Sequence, residues 1–134
     1  MYNYFHRELL KRSFAMADET RLQVLKEEGR QAQIQSFMWL FRSGEGRLPA
    51  IILYGYSPTR SDSHAREFLE DYSGYLETDG YQGYNNLPGI RRCSCWAHIR
   101  RYFIDAVPKG KQYDYSQPAV QGVQYCSRLF AIED

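Results

Sequence analysis

Tyr75-Leu76-Glu77-Thr78-Asp79-Gly80-Tyr81-Gln82-Gly83-Tyr84 is the stretch from which the fold is read. An apolar, β-prone approach delivers one carboxylate, Asp79, and a turn of glycines and tyrosines follows at once. A strand that ends in an acid leaves that acid at the lip of a sheet, where metals and substrates have access. Asp18 upstream and Glu133 near the far end read as its partners.

Working outward, the residues before this stretch read as three strands and a helix. From Ser13, Phe14, Met16, Asp18 and Thr20 share one face of a period-two strand, while Ala15, Ala17 and Glu19 share the other. Alternation therefore turns Glu19 away from Asp18, and Glu19 is left out of the candidate site. Ser36 to Arg42 is an aromatic strand closed by a Ser-Gly-Glu-Gly turn, and Ala50 to Tyr56 is a third, more apolar strand. Short turns between them predict an antiparallel meander. Ser61 or Asp62 caps a helix through Tyr72, with Ala65, Phe68, Leu69 and Tyr72 as its buried stripe, and Gly74 ends it.

Beyond Tyr84, Ile90 to Trp96 is a short strand, and Ala97 to about Val107 is a helix with Ile99, Phe103 and Ile104 on one face. Pro108-Lys109-Gly110-Lys111 is a linker, and a last helix runs from about Gln117 to Glu133. Met1 to Arg12 reads as an amphipathic helical lead-in. The order is that of an α/β, ribonuclease-H-like fold: a mixed sheet of three antiparallel strands, then a helix, then further parallel strands, flanked by helices. Such folds place one acid on the first strand, one at the end of the fourth and one on a later helix. Asp18, Asp79 and Glu133 occupy those places.

With 134 residues the chain is expected to form a single domain over 1–134. Hydrophobic residues make up 43% and charged residues 25%, as in ordinary globular proteins. A formal net charge of +1 does not announce a nucleic-acid binder, so any basic surface must come from local clustering. Three cysteines are an odd number, and Cys93 and Cys95 sit too close for an easy disulfide, which points to a reducing compartment. No apolar run approaches a membrane span and no signal peptide is legible, so a cytoplasmic protein without membrane contact is expected.

Several ordered motifs carry a family resemblance. Asp18-Glu19-Thr20 with Gln23-Val24-Leu25, Tyr54-Gly55-Tyr56-Ser57-Pro58-Thr59-Arg60, Leu76-Glu77-Thr78-Asp79-Gly80-Tyr81, Cys95-Trp96-Ala97-His98-Ile99-Arg100-Arg101-Tyr102-Phe103 and Leu129-Phe130-Ala131-Ile132-Glu133 resemble transposases of the insertion-sequence-66 type. The resemblance runs from about Leu9 to the last residue. Arg21 stands where proline would be expected after Asp-Glu-Thr. The resemblance implies a DDE transposase in which Asp18, Asp79 and Glu133 are the catalytic acids. It also implies that this stretch is a catalytic core fragment, lacking upstream zinc-binding and DNA-recognition regions, with the Glu133 helix cut short. DNA, as transposon ends and target, is the implied partner. An oligomer is implied for the full-length complex and a monomer for the fragment.

The chemistry suits those residues. Phosphodiester transfer needs a nucleophile aligned with its leaving oxygen and neutralised charge on the scissile phosphate, and two Mg²⁺ or Mn²⁺ ions about 3.5–4 Å apart do both. Hard cations take oxygen ligands, so three carboxylates form a fitting set. Asp105 and Asp134 are rivals for the third acid. Cys95 and His98 have ligand-like spacing, but a structural zinc site needs four ligands and no second pair is in view. On a helix His98 and Arg101 lie together and are expected to serve as auxiliary residues beside the cleft. Arg91, Arg92, Arg100, Lys109 and Lys111, interleaved with Trp96 and Tyr102, are the expected DNA contacts. Two other readings remain open: a nuclease of the same fold that cuts without joining, and an inactive remnant that only binds DNA or protein.

Overall fold

In the computed structural model the described residues are 1–26, 28–44 and 46–133; Glu27, Glu45, Asp134 and the side chain of Glu133 lie outside them. Strands β1 (Phe14–Gln23), β2 (Gln35–Ser43), β3 (Ile52–Ser57), β4 (Gly74–Thr78) and β5 (Ile90–Ser94) form one sheet in the order β3-β2-β1-β4-β5. β2 is antiparallel to both β1 and β3, whereas β4 is parallel to β1. The chain is thus α/β with a five-stranded mixed sheet. Its helices are α1 (Tyr2–Leu10), α2 (Asp62–Phe68), α3 (Trp96–Ala106) and α4 (Pro118–Glu133). Residues 1–93 and 94–134 make two compact units.

In the first unit, alternation decides which face is buried. Ala15 and Ala17 of β1 lie beside Trp39 and Phe41 of β2, Leu53 of β3 and Leu76 of β4 in one core. Cross-strand pairs Ala17↔Phe41 and Phe41↔Leu53 set a small residue and a branched one against one ring. Phe68 of α2 stacks on Phe41 with centroids 3.6 Å apart, so α2 covers this face. The whole stripe Ala65, Phe68, Leu69 and Tyr72 is buried.

That helix nevertheless ends at Phe68, four residues short of the Tyr72 expected from periodicity. Leu69 leaves helical geometry, and the Tyr72 amide donates to the Leu69 carbonyl in a separate turn. Apolar spacing reports burial, and burial continued here after the helical hydrogen bonds had stopped. Gly74 then opens β4 against β1: a Cβ there would meet the Ser13 carbonyl oxygen at 2.6 Å. Only glycine admits that approach.

The second unit is a helical pair. Pro118 opens α4, where its missing N–H is no loss. Just before it, the Asp114 carboxylate accepts from the Ser116 amide and hydroxyl and from the Gln117 side chain, ordering the turn. Gly122 lets α4 close on Phe103 of α3, whose ring would lie 2.4 Å from an added Cβ.

Candidate active site

β1 and β4 bring two of the three expected acids to one place. Their parallel register pairs Phe14 with Tyr75, Ala15 with Leu76 and Met16 with Glu77. Carried two residues further, it sets Asp18 level with Asp79, on strands that neighbour at about 4.8 Å. Asp18 is exposed, and its Oδ1 accepts the Glu19 amide at 3.0 Å. Asp79 leaves β4 into the turn, where its Oδ1 accepts the Tyr81 amide at 2.8 Å. This Asx-type bond fixes the carboxylate against its own backbone. The Gly80-Tyr81 turn is therefore what aims the acid.

Glu19, on the Ala15–Ala17 face, is deeply enclosed. Its side chain is 1% exposed. A carboxylate taken from water needs charged partners, and it has them. Nε and Nη2 of Arg60 both donate to Glu19 Oε1, and the Tyr84 hydroxyl donates to Oε2 at 2.6 Å. Arg60 also reaches Asp79, with Nη2 3.8 Å from Oδ2, and lies 3.9 Å over the Tyr81 ring. The Tyr81 hydroxyl in turn donates to the Arg60 carbonyl at 2.5 Å. One guanidinium is thus held between two carboxylates.

The electrostatics follow from this packing. Burial pushes the Tyr84 phenol far up, and the Glu19 hydrogen bond and the charges of Glu19, Asp18 and Asp79 push the same way. Burial opposes the Arg60 charge, but the Glu19 hydrogen bond and the Glu19 and Asp79 charges outweigh it and raise its pKa. Burial pushes the Tyr72 phenol up to about 12, aided by Cys93. Burial also holds His64 below its usual value against the opposing charge of Glu67; its ring lies beside Trp39 and Phe41.

The remaining expected residues fall in several settings. Arg92 joins β5 to the Asp79 turn: it donates to the Thr78 hydroxyl at 2.7 Å, to Asn85 Oδ1 and to the Asp79 carbonyl. Arg91 is exposed and donates to the Tyr75 hydroxyl at 3.1 Å. In the second unit, Arg100 donates to Ser127 at 3.3 Å, Lys111 pairs with Asp114 at 3.4 Å, and Arg101 and Lys109 are exposed. His98 Nδ1 is buried without a hydrogen-bond partner among the described residues. The Glu133 backbone ends α4, and its side chain lies outside the described residues, as does Asp134.

Carboxylates such as Asp18, which is exposed, and Asp79 are suitable oxygen donors for a hard divalent cation. Among the described residues no three Asp, Glu, His or Cys side chains gather to hold a metal, and Glu19 is turned toward Arg60 and Tyr84. Alternation leaves Glu19 out of the expected site, and the sequence assigns Tyr84 no role there. The signal for Glu19 was present: an acid on the Ala15–Ala17 face has to meet a cation inside.

Comparison with known proteins adds the following. A family model described as "Transposase IS66 family" matches residues 1–134. The uncharacterized protein y4qI of Sinorhizobium fredii (strain NBRC 101917 / NGR234) is 29% identical over 132 residues, covering 88% of this chain and 24% of that protein. The uncharacterized protein y4jD of the same strain is 30% identical over 130 residues, covering 87% of this chain and 24% of that protein. The chain therefore spans about a quarter of the length of the curated relatives it matches. No solved structure matches it.

Proposed function

The chain belongs to the IS66 family of transposases, and from that premise we propose that it carries a ribonuclease-H-like catalytic core that cleaves and joins DNA strands, with Asp18, Asp79 and Glu133 as its acids. The observation that supports this reading is the parallel β1–β4 register, whose last pair, Met16 and Glu77, lies two residues before Asp18 and Asp79. The strand order β3-β2-β1-β4-β5 supports the fold assignment. Asp18, Asp79 and Glu133 would hold Mg²⁺ or Mn²⁺; when bound, such ions activate the attacking hydroxyl and stabilise the leaving oxygen.

The chain's own residues set up the rest. The Tyr81 amide orients Asp79, and Arg92 ties its carbonyl to β5, so the acid sits on a braced turn. Arg91, Arg100, Lys109 and Lys111 supply phosphate contacts from side chains long enough to swing toward a backbone. His98 and Arg101, three apart on α3, serve as auxiliary groups for the phosphate. An Mn²⁺ soak of crystals, read for anomalous signal, tests the proposal. Density between Asp18 and Asp79 that disappears in Asp79→Asn is the expected result. Absence of metal there in the unaltered protein would sink the catalytic reading.

A further inference from the structure

We propose that Glu19 is a positioning residue: it holds the Arg60 guanidinium back from Asp79, keeping that carboxylate open to a divalent cation. The inference rests on the reading above, in which Asp79 is a metal ligand. Arg60 keeps its positive charge at any ordinary pH. Two carboxylates compete for it, and the geometry shows which one prevails. Two guanidinium N–H groups converge on Glu19 Oε1, whereas Asp79 Oδ2 at 3.8 Å lies beyond hydrogen-bond length.

Glu19 cannot follow Arg60 outward. Its other oxygen is held by Tyr84, and its side chain is 1% exposed. The guanidinium is also stacked on Tyr81, whose amide holds the second oxygen of Asp79. Without the Glu19 charge, Arg60 keeps the same stem and the same stacking ring, and Asp79 becomes its nearest anion. A close Arg–carboxylate pair forms readily in that setting and occupies the oxygens that a metal would need. The Asp-Glu pair at 18–19 thus divides its work: Asp18 faces out as a ligand, and Glu19 faces in and restrains the competing cation.

The test is Mn²⁺ titration calorimetry on the whole chain, with thermal melts to check folding. Wild type is expected to bind Mn²⁺, and binding should be lost in Asp79→Asn. Glu19→Gln keeps the shape of the side chain, and Mn²⁺ affinity is expected to fall about tenfold, as one uncompensated charge at this distance would produce. Adding Arg60→Gln to Glu19→Gln removes the competing cation, and affinity is expected to return to the wild-type level or above. A merely structural role predicts the reverse, since the double variant loses more contacts. Should Glu19→Gln not fold, Tyr84→Phe frees one Glu19 oxygen, and a drop of about threefold is expected from the weaker tether. Wild-type affinity in the folded Glu19→Gln or, failing that variant, in Tyr84→Phe overturns the inference while leaving the proposed function standing. A double variant as weak as Glu19→Gln also overturns it. Absence of Mn²⁺ binding by wild type removes the proposed function, and this inference with it.

Discussion

Tyrosine shows how differently the two compact units are built. In residues 1–93, Tyr72 and Tyr84 are buried, and each hydroxyl finds an acceptor: the Tyr75 carbonyl for one, Glu19 for the other. In residues 94–134, Tyr102, Tyr113, Tyr115 and Tyr125 are all exposed, Tyr113 by 85%. Helix α3 has no buried residue at all. Cohesion there comes from a few positions, Val120, Cys126 and the Gly122–Phe103 contact, beside an open groove of about 290 Å³. The first unit is held by a shared core and a buried ion network, the second by the packing of α4 against α3. A buried tyrosine needs a partner for its hydroxyl, and Tyr72 and Tyr84 of the first unit have one.

Substitutions should separate the two units by size of effect. Trp39→Ala empties the centre of the first core and should cost about 3–5 kcal/mol in urea unfolding. Tyr113→Ala should stay within about 0.5 kcal/mol. Equal losses at the two sites would erase the contrast. Tyr84→Phe leaves the enclosed Glu19 one donor short and should cost about 1.5–3 kcal/mol. A neutral result would mean that water reaches Glu19 once the hydroxyl is gone.

Gly122→Ala should cost about 1–3 kcal/mol by overpacking. In an exposed helix the same change would gain about 1 kcal/mol, so its sign reports how tightly α3 and α4 meet. Amide exchange in both helices is the measurement, and slower exchange in the variant would show that the contact is loose. The smallest effect concerns pH. Burial keeps the His64 pKa below its ordinary 6.5, so the unfolded chain takes up the proton first. Stability is complete above that value and declines as pH falls below it. His64→Gln should flatten this acid limb in pH-dependent melts. The same slope in the variant would assign it to other groups.

Much of the fold was legible because short-range periodicity reports burial. Ala65, Phe68, Leu69 and Tyr72 at helical spacing marked their buried face correctly, and alternation separated Ala15 and Ala17 from Phe14 and Met16. The stop at Phe68 was not legible, since apolar spacing carries no information about hydrogen bonds. Asp79 stood out because glycine and tyrosine follow it directly, and its bond to the Tyr81 amide is local. Glu19 was harder. Alternation set it on the face opposite Asp18, but its partner Arg60 is 41 residues away, and no local pattern names a partner at that distance.

The sequence by itself determined the kinds and faces of the elements, the acid at the end of β4 and the family. Those properties depend on residues a few positions apart. Tertiary structure alone decided the register of β4 on β1 and that one arginine stands between Glu19 and Asp79. Each of these joins residues distant along the chain, and their placement follows from how the sheet and α2 close on a shared core.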